Sequence, residues 1–251
     1  MDPAVAALAE EQLVTKSLLG GLNAGDWETP TRCEGWNIAD VVLHLAQSDE
    51  MAVASLQGVL PTEDETSLTG WRGGSSVDES VALMVDRERG ATWSDLLLRW
   101  ISVAEHLTSL LDGMDLSTRV RWVAGDLSAR TLATTRLSET WIHTGDVAAA
   151  VGIGPVATER LGLIARLAWR TLPYAFDRAG ETLSGPVAFR LTAPWGEQWD
   201  FMPNEPAVTT ISGSAAELCE VAARRVDPSA TSLSGVGPDS AQVLALVRTY
   251  A

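Results

Sequence analysis

Cysteine is scarce in this sequence, which has only Cys33 and Cys219 among 251 residues. Two distant cysteines are too few for a scaffold of disulfides or for a cysteine-rich zinc site, and neither has an obvious catalytic context. The sequence also lacks a run of about 18 apolar residues, and it lacks a basic segment followed by an apolar one at its N-terminus. It therefore predicts neither a membrane span nor a signal peptide, and we expect a cytoplasmic protein.

Basic residues are scarce as well, with 18 Lys and Arg against 33 Asp and Glu, and Lys16 is the only lysine. The net charge of −15 argues against nucleic acid as a partner, because such binding depends mainly on Lys and Arg at phosphates. A hydrophobic content of 46% is ordinary for a soluble globular protein of one large domain or two smaller ones.

Apolar residues at three- and four-residue spacing predict four long amphipathic helices in the first 153 residues. Asn37 is a good N-cap for the second helix, with Asp40 in position to complete a capping box. A short helix can start at Ser76 inside the long polar connection between helices two and three. Four long helices of similar length with two long crossovers predict a four-helix bundle, with helices at 4–22, 38–56, 93–111 and 132–152.

The pattern changes after residue 153, where a fifth helix at 159–176 is followed by segments that alternate with period two. These segments predict strands at 187–192, 198–202 and 207–212, with a hairpin turn at Pro194–Gly196. Ser214 and Glu217 form a capping-box pattern that opens a helix to about Val226, and a terminal helix is expected at 240–250. The predicted fold class is α+β, with a bundle at 1–153 and a small α+β domain at 154–251.

A candidate metal site lies on the fourth helix, where Glu139, His143 and Asp146 fall on one stripe within about 60°. Apolar and small residues continue this stripe, so a carboxylate and an imidazole face the interior. Burying an ionised carboxylate costs several kcal/mol of free energy, unless a cation or a metal compensates the charge. Glu and His at i and i+4 are a natural pair of metal ligands, although a hydrogen bond or a partly exposed ion pair also explains them.

His44 supplies a second interior imidazole on the second helix. A single histidine on an apolar face is often a satisfied core residue, but with Glu139 and His143 it completes a His₂Glu set. On zinc such a set leaves at least one position open for water or substrate. The third histidine, His106, lies about 180° from Leu97 on its helix, on the solvent side, and is excluded from the site.

Two motifs resemble a known family. The segment Thr31-Arg-Cys-Glu-Gly-Trp-Asn-Ile-Ala-Asp-Val-Val-Leu-His44 and the segment Glu139-Thr-Trp-Ile-His143-Thr-Gly-Asp146 are similar to signatures of the DinB-like, mycothiol-dependent maleylpyruvate isomerase family of actinobacteria. The resemblance implies a metal held by His44, Glu139 and His143, with Asp146 in support of the ligands. A solvated position on the helix surface is the alternative for Asp146.

The resemblance also implies a function. The expected cofactors are a divalent metal, Zn²⁺ before nickel, iron or manganese, and a low-molecular-weight thiol, mycothiol, bound at the metal as a thiolate. The thiolate would add to a small electrophilic substrate and isomerise it, or displace a leaving group from it. A non-catalytic metal or small-ligand binding protein and a metal-dependent hydrolase are the alternatives. Monomer and homodimer both stay open.

The tail from Pro186 to Ala251 is similar to the sterol-carrier-like C-terminal domain of the same family. We expect this domain to close one side of the metal cleft and to supply an arginine to an anionic substrate or to the carboxylate of the thiol. An arginine suits this task because a guanidinium binds a carboxylate with two hydrogen bonds. Which arginine points inward depends on the register of the helix, and Arg225 is favoured over Arg224. The alternative is that both arginines only favour the negative end of their helix dipole.

Overall fold

The computed structural model describes residues 1–60, 77–123 and 125–249. Contacts between Cα atoms divide the chain into two compact units, residues 1–155 and 156–251, which are described separately. Ser76, the predicted start of the short helix, lies outside the described residues. Among the described helices, none combines the length and the apolar content that crossing a bilayer requires.

The first unit is helical, and its long helices begin and end close to the predicted positions. Asp2, Thr92 and Ser128 cap three of them with side-chain oxygens. Asn37 and Asp40 form the predicted reciprocal capping box at the start of another. The helices are α1 (Pro3–Gly20), α2 (Ile38–Leu56), α3 (Val77–Glu88), α4 (Trp93–Asp112) and α5 (Ala129–Ala150), with a 3₁₀ turn at Ala24–Glu28.

Helix α2 packs against both α4 and α5, and α1 packs against α5. The apolar core between these helices includes the fully buried Trp27 and Trp100. On α4 the buried seam begins at Leu96, whereas Leu97 is only partly buried against it. The connection before α5 contains a short antiparallel ladder of β1 (Arg119–Val120) and β2 (Leu127–Ser128). The packing of α2 against α5 brings the predicted site residues together.

The second unit is a small α+β module with a four-stranded sheet in the order β4-β3-β5-β6. Strand β3 pairs antiparallel with β4 and parallel with β5, and Phe189 lies opposite both Phe201 and Ile211. The predicted hairpin turn joins β3 to β4, closed by the Ala193 N–H donating to the Glu197 carbonyl. The elements are α6 (Leu161–Arg170), α7 (Leu172–Arg178), β3 (Val187–Thr192), β4 (Gln198–Phe201), β5 (Thr209–Ser214), α8 (Ala215–Ala222), β6 (Ser234–Val236) and α9 (Ser240–Leu246).

Several predicted boundaries in this unit were wrong. The single helix expected at 159–176 breaks at Thr171, because Pro173 in the first turn of α7 has no N–H to donate to the preceding turn. Strand β5 lies two residues later than expected, β6 was missed, and α9 ends at Leu246. Residue 250, the expected end of α9, lies outside the described residues.

Helix α8 ends at Ala222 rather than near Val226, because the chain turns out of the helix at Arg224. Arg224 has φ of 60°, in the left-handed region. Its N–H donates to the carbonyl of Val221, and the N–H of Arg225 donates to the carbonyl of Glu220. This pair of bonds is a Schellman-type helix end. Both arginines therefore follow the helix and are not in its last turn.

Candidate metal centre

The structure brings His44, Glu139 and His143 together between α2 and α5. Glu139 Oε2 lies 3.4 Å from His44 Nε2 and 3.6 Å from His143 Nε2. One donor atom from each residue lies within 4.8 Å of the other two. The imidazole rings meet edge to face with centroids 4.9 Å apart, and both histidines are buried. The helical spacing on α5 and the capped start of α2 thus aim three ligand-type groups at one point.

Asp146 lies behind His143, on the opposite side of the ring from Glu139. Its Oδ2 is 3.0 Å from His143 Nδ1, and its carboxylate is completely buried. Its Oδ1 accepts a hydrogen bond of 3.1 Å from Nε of Arg32. Histidines that bind metals almost always donate their other ring N–H to a carboxylate, a carbonyl or water. The contact with Asp146 therefore leaves Nε2 of His143 as the nitrogen that faces the cluster.

Burial and mutual contacts shift the pKa of each group in the cluster. Burial lowers the pKa of His44 to about 4. Burial alone would raise the pKa of Glu139, but hydrogen bonds from His143 and His44 outweigh it and hold this pKa well below its ordinary value. Burial alone would lower the pKa of His143, but hydrogen bonds to Asp146, Cys33 and Glu139 outweigh it and raise this pKa. The cluster thus contains an ionised carboxylate beside a neutral His44.

The donor set fits a divalent metal ion. Two imidazole nitrogens and one carboxylate oxygen are ligands that zinc accepts, and nickel, iron and manganese accept them too. A metal would also compensate the charge of the partly buried Glu139, whose carboxylate otherwise contacts two histidines.

Cys33 is a neighbour of this centre that the sequence analysis missed. Its Sγ lies 3.2 Å from Asp146 Oδ2 and 3.9 Å from His143 Nδ1. Donor atoms of Cys33, His143 and Asp146 also lie within 4.8 Å of one another, so they form a second group of metal-ligand type. The sequence analysis found no obvious catalytic context for either cysteine, yet Cys33 lies beside the candidate centre and belongs to the same motif as His44. That shared motif was the available signal.

A buried ion pair next to the centre was also missed. Arg136 Nε donates to Asp49 Oδ1 at 2.9 Å, and its Nη2 donates to Ser48 Oγ at 2.8 Å. Both charged side chains are at most 2% exposed. Burial raises the pKa of Asp49, and the Arg136 guanidinium acts against that rise. The position of Arg136 one turn before Glu139, on the interior stripe of α5, was the signal in the sequence.

A cavity of about 790 Å³ lies beside the centre within the first unit. Cys33 and Trp36 line it, and the Trp36 ring centroid is 5.3 Å from that of His44. The guanidinium of Arg89, also in the lining, is bonded to Asp40 at 2.8 Å and to Asp86 at 2.9 Å. The lining also includes Trp27 and Trp93, and its acidic residues outnumber Arg89, so the cavity carries no excess of positive charge.

The remaining candidate residues make hydrogen bonds within their own units. His106 is exposed on α4, as expected, and its Nε2 lies 3.5 Å from Nε2 of Gln57. Within the second unit, Nη1 of Arg224 donates to the Ala245 carbonyl at 2.7 Å. Nη1 of Arg225 donates to the Ala223 carbonyl at 3.0 Å. That either arginine binds a substrate stays a prediction.

The fold and the site together define a class of protein, a helical bundle with a His–Glu–His candidate metal centre joined to an α+β unit. The model of the mycothiol maleylpyruvate isomerase N-terminal domain family matches residues 5–148. The chain therefore belongs to this family, as the two motifs suggested.

Relatives and solved structures agree with that assignment. Two uncharacterized proteins of Mycobacterium tuberculosis, from strains CDC 1551 and H37Rv, are each 30% identical over 250 residues, which cover 99% of this chain and 95% of theirs. Crystal structures of the mycothiol-dependent maleylpyruvate isomerase and of its histidine-to-alanine mutant are 19% and 20% identical, with TM-scores of 0.58 and 0.60. Each comparison covers 95% of this chain and 96% of the other, and it shows the shared α+β fold.

Proposed function

We propose that this protein is a metal-dependent enzyme that uses mycothiol to transfer sulfur to, or to isomerise, a small electrophilic substrate. Membership of the family supports the thiol, and the name of the solved neighbours supports isomerisation as one of the two reactions. The observation that carries the proposal is the convergence of His44, Glu139 and His143 within 4.8 Å, with the second ring nitrogen of His143 on a buried carboxylate.

In this proposal each residue of the cluster has a distinct task. His44 and His143 present Nε2 atoms, and Glu139 supplies the negative charge that holds a divalent cation, Zn²⁺ first among the candidates. When bound, the metal supplies Lewis acidity, which lowers the pKa of a coordinated thiol from its ordinary value of about 8.5. Asp146 keeps the His143 ring oriented by accepting a hydrogen bond from its Nδ1.

The sulfur nucleophile comes from the cosubstrate in this proposal. The thiol of Cys33 donates a hydrogen bond to Asp146, which lies on the side of His143 away from Glu139. Cys33 is therefore not placed as the nucleophile in this proposal. For isomerisation, the incoming sulfur forms a C–S bond at an activated double bond, rotation follows about the new single bond, and elimination returns the thiol. For transfer, the C–S bond forms as the bond to a leaving group breaks. The two reactions therefore differ in whether the thiol is consumed.

The arginines after α8 complete the proposal. We assign Arg225, before Arg224, to binding an anionic substrate or the carboxylate of the thiol. The Arg224 guanidinium bonds the Ala245 carbonyl, and its backbone forms the helix end, which favours a structural task for this residue. The likeness of the second unit to a sterol-carrier domain stays a prediction.

The test is a turnover assay with purified, zinc-loaded protein, mycothiol, and either maleylpyruvate or an electrophile with a leaving group. Metal-dependent isomerisation without loss of thiol would establish an isomerase, and stoichiometric loss of thiol would establish a transferase. The matched control is His44→Ala, and His106→Ala should retain full activity. Metal binding without any reaction of mycothiol would refute the proposal in favour of a binding protein. Cleavage of a thiol conjugate by water would refute it in favour of a hydrolase.

A further inference from the structure

Three hydrogen-bond donors, from helix α5 and from the loop before α2, meet on the buried Asp146 carboxylate. His143 Nδ1 and Cys33 Sγ approach Oδ2 at 3.0 and 3.2 Å, and Arg32 Nε donates to Oδ1 at 3.1 Å. A buried carboxylate needs such donors, because burying the ionised group without them costs several kcal/mol of free energy. Two of the three donors come from adjacent residues of one loop.

The loop that carries Arg32 and Cys33 is closed by its own hydrogen bonds. Thr31 Oγ1 accepts from the Cys33 N–H at 3.1 Å and donates to the Trp36 carbonyl at 3.0 Å. The Trp36 N–H donates to the Cys33 carbonyl at 3.0 Å. This closes a turn whose third residue, Gly35, has φ of 76°, a conformation that favours glycine. These bonds support Cys33 in the position from which its Sγ reaches Asp146.

The surface of α5 leaves room for the side chain of Arg32. A Cβ atom added at Gly145 would lie 3.3 Å from Nη2 of Arg32, so the guanidinium passes close over the helix backbone. Glycine in a helix interior costs about 0.5–1 kcal/mol relative to alanine. The absence of a side chain at Gly145 therefore accommodates the contact between Arg32 and Asp146.

We propose that Arg32 and Cys33 are positioning residues that act on the metal centre through Asp146. They hold its two oxygens so that Oδ2 stays on Nδ1 of His143 and Nε2 stays aimed at Glu139. The inference rests on the proposed metal-binding role of His143. It also gives Cys33 a task as a hydrogen-bond donor, distinct from those of nucleophile or ligand.

The test measures zinc affinity of the full chain by competition with a chromogenic chelator. Residues that orient metal ligands typically change affinity by about 10–100-fold when they are removed. We expect Asp146→Ala to fall in this range, and Cys33→Ala and Arg32→Met to lose roughly 3–10-fold, below that range, because each removes only one of the three donors to Asp146. Cys33→Ser should recover most of the loss, because a hydroxyl can donate to Oδ2. Cys219→Ala, a buried cysteine of the second unit, should change nothing.

A double variant separates positioning from direct ligation. In an Asp146→Ala background, Cys33→Ala should reduce affinity by less than about twofold, because residues that act through one group are not additive. A full additional loss, or sulfur-to-metal charge-transfer absorption in the Co²⁺-loaded protein, would overturn the proposal in favour of a thiolate ligand. Unchanged affinity in correctly folded Cys33→Ala and Arg32→Met would also overturn it. These outcomes do not depend on thiol turnover, so they are separate from failure of the proposed enzyme activity.

Discussion

Replacing Arg136 with methionine should destabilise the first unit more than any surface arginine replacement does. Methionine keeps much of the side-chain length but removes the guanidinium that faces Asp49 at 2.9 Å and Ser48 at 2.8 Å. Asp49 is then left fully buried without its cation. For charge centres about 4 Å apart, an effective dielectric constant of about 20 gives roughly 4 kcal/mol of lost attraction. Broken buried pairs typically cost about 3–5 kcal/mol, in agreement with this value.

The loss of stability in the Arg136→Met variant should depend on pH. Burial raises the pKa of Asp49 and Arg136 opposes that rise, so the variant has a still higher folded-state pKa. When the folded-state pKa of a carboxyl lies above the unfolded one, the folded state binds the proton more tightly. Stability then falls as the pH rises from the unfolded to the folded pKa and is flat above it. The variant should therefore recover part of its loss when the pH is lowered from 7 towards 5.

Urea unfolding of the metal-free protein, followed by far-ultraviolet circular dichroism at several pH values, measures both effects. Arg130→Met is the matched control, because Arg130 lies on the same helix, is exposed, and pairs with Asp2. Its exposed ion pair should contribute at most about 1 kcal/mol. Replacing the pair together, as Asp49→Leu with Arg136→Met, should restore most of the stability, since no unpaired buried charge remains. Equal losses in Arg136→Met and Arg130→Met, or a loss that does not change with pH, would refute the reasoning.

Further predictions concern the metal and the two arginines. His44→Ala and His143→Ala should each lose most bound metal in elemental analysis, while His106→Ala keeps it; full occupancy in His143→Ala would remove that residue from the site. Arg225→Ala should raise the apparent KM for an anionic substrate with metal content unchanged, and an unchanged KM would contradict its substrate role. Arg224→Gly should alter the free energy of unfolding by less than about 0.5 kcal/mol, whereas Arg224→Val should cost about 1–2 kcal/mol, because its φ of 60° disfavours branched side chains. Equal stability of these last two variants in urea titrations would show that the helix end tolerates any residue.

The predictable part of the fold was the part with long helical periodicity and explicit caps. Asn37 with Asp40 located the start of α2, and regular spacing located the bundle helices. The second unit was harder, because Thr171 to Pro173 interrupt a continuous apolar pattern and Arg224 occupies a helix-end position usually filled by glycine. A left-handed arginine leaves no local signal in a sequence, so the end of α8 was placed too late.

Candidate ligands followed from position within a helix, whereas their supporting contacts depended on tertiary structure. Glu139 and His143 share one helix, so their proximity is a matter of helical spacing. Cys33 reaches Asp146, and Asp49 reaches Arg136, only because α2 and its preceding loop pack against α5. Separation in sequence carries no information about such partners. The arginine on an interior stripe signalled that an acid was needed, but not which one.

The capped start of α2 also determines the direction in which His44 leaves the helix. The capping box fixes where the helix begins, so His44 points at Glu139 only if the number of residues after Asn37 is preserved. Each inserted residue would rotate the imidazole by about 100° and advance it by about 1.5 Å. The stretch from the cap to the histidine therefore acts as a spacer of fixed length, in which an added or removed residue would turn His44 away from Glu139.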